Sequence, residues 1–86
     1  MYEVHLSQIA QRFLDKLNDN IKERVEKRLK MLKDNPVPSD SKFIKRENNE
    51  KIFRIRIGDL RALYKVKEEQ KVILISKIDK RNKVYD

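Results

Sequence analysis

The chain has 86 residues, with 22 Lys and Arg against 14 Asp and Glu and a formal net charge of +8. That length holds one small domain with a thin core, burying roughly 60–65% of the surface its unfolded form exposes. With no cysteine and one histidine, His5, the sequence excludes disulfides, a thiol nucleophile and a His-cluster zinc site.

No apolar run approaches the about 18 residues of a membrane span. Acidic and polar residues interrupt the N-terminus at once, so neither a signal peptide nor a transit peptide is expected and the expected compartment is the cytoplasm. Tyr2, Val4 and Leu6 alternate with Glu3 and His5, which predicts a short strand. Ser7 offers an N-cap hydroxyl, and Ile9, Ala10, Phe13, Leu14 and Leu17 follow at helical spacing. Asn18-Asp19-Asn20 breaks this helix, and Asn20 with Glu23 resembles a capping box that starts a second one carrying Ile21, Val25, Leu29 and Leu32. Asn35-Pro36 ends the second helix. Residues 36–50 read as one long irregular segment anchored by Phe43 and Ile44. Three strand-like runs follow over 51–57, 60–66 and 71–78, the first two joined by Gly58-Asp59, a pair suited to a type II′ turn. The order β-α-α-β-β-β predicts an α+β fold, a helical hairpin packed on a mainly antiparallel four-stranded sheet, over the single domain 1–86.

The charge is uneven. Residues 1–41 carry 8 basic and 7 acidic side chains, and residues 42–86 carry 14 and 7, so nearly all the excess lies in the second half. Such asymmetry points to a polyanionic partner, most simply nucleic acid, or to a solvated lysine-rich coat of the kind common in heat-adapted proteins. The lysines of the second helix alternate with Glu23 and Glu26 and read as a solvated face.

A two-residue turn at Gly58-Asp59 fixes the register of its strands. Ile57 then faces Leu60, Ile55 faces Ala62 and Phe53 faces Tyr64, an apolar face for the helices. On the other face Arg54 sits across from Leu63, and Arg56 across from Arg61. Like charges directly opposite destabilise a sheet, and no acidic residue of these two strands shares that face. A docked phosphate would compensate, since guanidinium forks match its geometry; solvation, or pairing with Glu47 or Glu50, would compensate too. Lys80, Arg81, Lys83 and Tyr85 follow in the tail. An aromatic beside guanidinium groups suits single-stranded RNA, on whose bases it stacks.

The run from Ile52 to Tyr64 resembles the signature of the RelE toxin family, and Arg81-Asn82-Lys83-Val84-Tyr85 resembles that family's closing Arg-x-x-Val-Tyr. The resemblance implies a toxin of a type II toxin–antitoxin pair, an endoribonuclease that enters the ribosomal A site and cuts mRNA, held in check by a RelB-like antitoxin, with no metal, no small-molecule cofactor and no membrane partner. It implies a catalytic set of Arg54, Arg56, Arg61, Arg81 and Tyr85; by their charge, Lys45, Arg46, Lys80 and Lys83 are expected as further contacts to RNA phosphates. The related ParE branch keeps the fold and poisons DNA gyrase; a basic nucleic-acid-binding module without catalysis and a decayed toxin kept only as an antitoxin's partner are further alternatives. Three departures stand out: arginines replace the strand-pair lysines of the well-known members, Lys80 stands where His is common, and Arg46 takes the place of a loop glycine. Arginine does not deprotonate in proteins, so neither Arg54 nor Arg56 is a general base. Tyr85 takes that role or stacks on a base.

Overall fold

The computed structural model describes residues 1–80. The elements are β1 (Glu3–Leu6), α1 (Gln8–Asp15), α2 (Asp19–Lys30) with a 3-10 turn at Met31–Lys33, β2 (Lys42–Glu47), β3 (Glu50–Ile57), β4 (Leu60–Lys67) and β5 (Val72–Lys80). They form one sheet in the order β1-β5-β4-β3-β2, in which β1 runs parallel to β5 and all other pairs are antiparallel.

The α+β class agrees with expectation, and the sheet has five strands rather than four. The additional strand, β2, lies inside the segment that reads as irregular. Its return to β3 is a two-residue turn in which Asn48 (φ 51°) and Asn49 (φ 65°) both occupy the left-handed region. Asparagine tolerates that region, and two such residues in succession make the type I′ turn that fits the twist of a hairpin. A bulge at Ile44, between Phe43 and Lys45, breaks the alternation that would have marked the strand.

Each helix starts on a side-chain cap. Ser7 Oγ accepts from the Ala10 N–H at 3.1 Å and donates to the Ser76 carbonyl at 2.8 Å, tying α1 to β5. The second cap is Asn18, not Asn20: its Oδ1 accepts from the Ile21 N–H at 3.0 Å, so α2 begins two residues before the predicted position. Ala10, Leu14, Val25, Leu29 and Leu32 pack against Ile55, Ala62, Tyr64, Ile73, Ile75 and Ile78 in one core. Burying each of the larger side chains contributes about 1.5–3 kcal/mol.

The connector between α2 and β2 is fastened at two points. Arg28 donates to Asp40 at 2.6 Å, and Tyr64 donates from its hydroxyl to the Pro36 carbonyl at 2.7 Å. The Tyr64 ring stacks on Phe53 with centroids 5.7 Å apart. Burial pushes its hydroxyl up to about 12.

Candidate nucleic-acid interface

The interface is built on the β3–β4 hairpin. Gly58 has φ +59° whereas Asp59 keeps a negative φ, the sign pattern of a type II′ turn. The register is the one the two-residue turn dictates: Ile57 opposite Leu60, Ile55 opposite Ala62, Phe53 opposite Tyr64, and on the reverse face Arg54 opposite Leu63 and Arg56 opposite Arg61. The first three pairs are buried under the helices. The three arginines therefore share the face away from the helices. Arg56 is exposed, and Arg54 and Arg61 are half-buried with their Nε atoms shielded from water.

The neighbouring strands add charged groups. In β5 the buried residues are Ile73, Ile75 and Ile78, spaced by two and then by three. The extra residue is a bulge, visible as a register shift where Leu63 pairs with Lys77 but Tyr64 pairs with Ile75. It reverses the faces of all that follows in β5, turning Ile78 into the core and carrying Lys77 and Asp79 to the arginine side. Two rows result. One runs Lys42, Arg54, Leu63, Lys77; the other runs Arg56, Arg61, Asp79. The rows are two residues apart along the strands, about 7 Å.

The remaining candidates divide. Lys45 lies on the same face toward the other end of the sheet, opposite Ile52. It pairs with Glu47 at 3.3 Å, and Lys65 reaches the same carboxylate at 3.2 Å. Hydrogen bonds from Lys65 and then Lys45 hold the Glu47 carboxyl below its ordinary range. Lys67 pairs with Glu50 at 3.7 Å, so the carboxylates that end β2 and begin β3 both engage lysines. Arg46 stands opposite Lys51, in the row of the buried Val66, and so falls on the helix side of the sheet at its far end. Lys80 stands opposite Leu60, also on the helix side, at an open groove of about 740 Å³ shared with Leu17, Ile21, Arg24 and Val25. Arg81, Lys83 and Tyr85 lie outside the described residues.

The structure thus brings Arg54, Arg56 and Arg61 together and adds Lys42, Lys77 and Asp79, which the sequence reading missed. Two signals in the sequence point to them. Asn48-Asn49 is a hairpin pair that makes a strand of the residues before it, and the three-residue step from Ile75 to Ile78 marks the bulge. Chemically, three guanidinium groups and two ammonium groups on a shallow sheet face suit successive phosphates of a flexible strand. Among the described residues no group of three His, Asp or Glu side chains is placed to hold a metal ion, and no helix is long and apolar enough to cross a membrane.

Comparison with known proteins gives consistent matches. Over residues 4–85 the sequence matches the family described as the ParE toxin of the type II toxin–antitoxin system parDE. It is 34% identical over 83 residues to the RelE1 protein of Methanocaldococcus jannaschii, covering 91% of each chain. Among solved structures it is similar to the archaeal RelE–RelB complex of Pyrococcus horikoshii OT3, at 27% identity and a TM-score of 0.85, covering 96% of this chain and 98% of that one. It is also similar to the RelBE2 toxin–antitoxin complex of Mycobacterium tuberculosis, at 30% identity and a TM-score of 0.77, covering 93% and 98%. Fold, hairpin signature and sequence match agree that the chain belongs to the RelE/ParE superfamily of toxins of type II toxin–antitoxin systems.

Proposed function

We propose that the chain is a ribosome-dependent endoribonuclease that cuts mRNA in the A site and that a RelB-like antitoxin restrains it. The observation that carries this reading is the cluster of Arg54, Arg56 and Arg61 on the face of the sheet that the helices leave uncovered. The two similar solved structures are complexes of RelE-type toxins with their antitoxins, which supports the partner.

In this reaction the 2′-oxygen of the RNA attacks the adjacent phosphate and the 5′-oxygen leaves, giving a 2′,3′-cyclic phosphate and a 5′-hydroxyl. The nucleophile is internal to the substrate, so the first step consumes no water and needs charge stabilisation above all. Arg61 clamps the scissile phosphate, and Arg54 and Arg56 neutralise the pentacoordinate phosphorane. Arg81 neutralises the leaving oxygen, and Tyr85 orients the nucleotide or takes its proton. Lys45 and Lys83 hold flanking phosphates, whereas Arg46 and Lys80, on the helix side of the sheet, stay outside the path of the same strand. The ribosome supplies the alignment of the strand, which is the larger share of the barrier when no strong base is at hand.

Primer extension on translated mRNA after induction of the protein tests the proposal. Discrete cuts within codons are expected, and Arg61→Ala should slow cleavage by about 10²–10³, the usual effect of removing one preorganised donor. Equal cutting by wild type and Arg61→Ala would place the site elsewhere. A second reading is favoured by the ParE description of the matched family: a gyrase poison without nuclease activity. It predicts intact mRNA and a supercoiling defect in the same cells.

A further inference from the structure

The proposed cleavage needs a group that removes the 2′-OH proton, and the hairpin offers none. Guanidinium groups are donors without an acceptor and do not deprotonate in proteins, and a lysine accepts a proton only after it has first given one up. Within the two cross-strand rows of the arginine face, Asp79 is the one carboxylate. It reaches that face because of the β5 bulge; with unbroken alternation it would point to the helix side, and Ile78 would be drawn out of the core. Bulges of this kind commonly re-aim a side chain beside an active site.

Resting on the function proposed above, we infer that Asp79 is the general base of the reaction. Asp79 and Arg61 are direct cross-strand partners, which places their Cβ atoms about 5 Å apart on one face. A phosphate clamped by Arg61 therefore presents its neighbouring ribose to the carboxylate. Asp79 Oδ1 accepts from the Lys80 N–H at 2.7 Å, which restrains the carboxylate and leaves its second oxygen as the proton acceptor in this reading. The step balances as follows. The 2′-OH gives its proton to Asp79, and the 2′-oxygen forms the new bond to phosphorus. The bond from phosphorus to the 5′-oxygen breaks with its electron pair on oxygen, which takes a proton from solvent. Asp79 then returns its proton to solvent. Arginine replaces the strand-pair lysines, and a carboxylate one strand further on supplies the proton acceptor.

The test is single-turnover cleavage of mRNA on stalled ribosomes carrying an open A site. Asp79→Asn keeps the acceptor for the Lys80 N–H and loses the proton affinity, so its rate should fall by about 10²–10⁴. Asp79→Gly should be as slow, and added formate should restore it in proportion to concentration, whereas Arg61→Ala should not respond to formate. Cleavage by Asp79→Asn within about threefold of wild type overturns the inference. So does a slow Asp79→Gly that ignores formate, which would mean that the aspartate only positions Arg61. Loss of cleavage in Tyr85→Phe with normal cleavage in Asp79→Asn would assign the proton to the tyrosine instead. If wild type itself leaves the mRNA intact, the nuclease reading fails and takes this inference with it; if Arg61→Ala is dead and Asp79→Asn is active, the inference alone fails.

Discussion

At the scale of single residues, Tyr64 shows how one side chain serves the core and the surface connector together. Its ring fills the space between Phe53 and the helices, and its hydroxyl holds the Pro36 carbonyl. The same burial that makes the contact dry raises the hydroxyl to about 12. An unfolded tyrosine ionises near pH 10, so between about pH 10 and 12 the unfolded chain sheds a proton that the folded chain keeps. This contribution is complete below pH 10 and is lost as the pH rises, at up to about 1.4 kcal/mol per unit. Tyr64→Phe removes the titration and the hydrogen bond, costing about 1 kcal/mol at pH 8. Urea unfolding of both proteins at pH 8 and pH 11 checks this: the wild-type advantage should shrink or reverse at the higher pH. An advantage that stays constant would mean that the hydroxyl titrates normally in the fold.

At the scale of elements, the β3–β4 hairpin and the body of β5 were legible in the sequence, and β2 and the end of β5 were not. Gly58-Asp59 lies between two strictly alternating runs, so the turn length, the register and the arginine face all follow from it. Strand β2 hid because the Ile44 bulge interrupts its alternation, and Asn48-Asn49 looks like loop composition until both residues are given positive φ. The end of β5 hid for the same reason: a strict period of two, carried past Ser76, assigns Asp79 to the wrong side. Bulges break the periodicity that pattern reading depends on, and here both bulges flank the candidate site. Lys42, Lys77 and Asp79 were missed on that account, not for any weakness of their chemistry. The turn carries its own prediction. A Cβ at Gly58 meets only Arg24 Nη1 at 3.8 Å, an ordinary contact, so the cost of Gly58→Ala is the φ of +59°. That cost is about 1–2 kcal/mol, and the expected fall in melting temperature is about 4–15 °C for a domain of this size. Cleavage measured well below the transition should be unchanged, because register survives. A cleavage defect at full folding would show that the turn itself touches RNA.

At the scale of the whole molecule, the issue is what the net charge of +8 is for. Lysines and arginines occur on α2 as well as on the sheet, and a basic total does not tell a phosphate site from a solvated coat. The two surfaces differ in how many counterions a bound strand displaces. Five described cations stand in the two sheet rows, offset by Asp79. If about four of them meet phosphates, the logarithm of the affinity for a short single-stranded RNA should fall with the logarithm of salt concentration at a slope of about −3. Arg54→Ala should reduce the slope by about 0.7, one phosphate contact, and lower affinity at every salt concentration. Replacing Lys22, Lys27, Lys30 and Lys33 of α2 and its 3-10 extension by glutamine removes four charges and should leave the slope near −3, since Lys22 already pairs with Asp15 at 3.1 Å and Lys27 and Lys30 each follow a glutamate by one helical turn. A slope that collapses in the glutamine variant and persists in Arg54→Ala would move the nucleic-acid interface from the sheet to the helices. The charge asymmetry between the two halves of the chain then decides the matter on the sheet's side only if binding tracks the arginine rows and not the total.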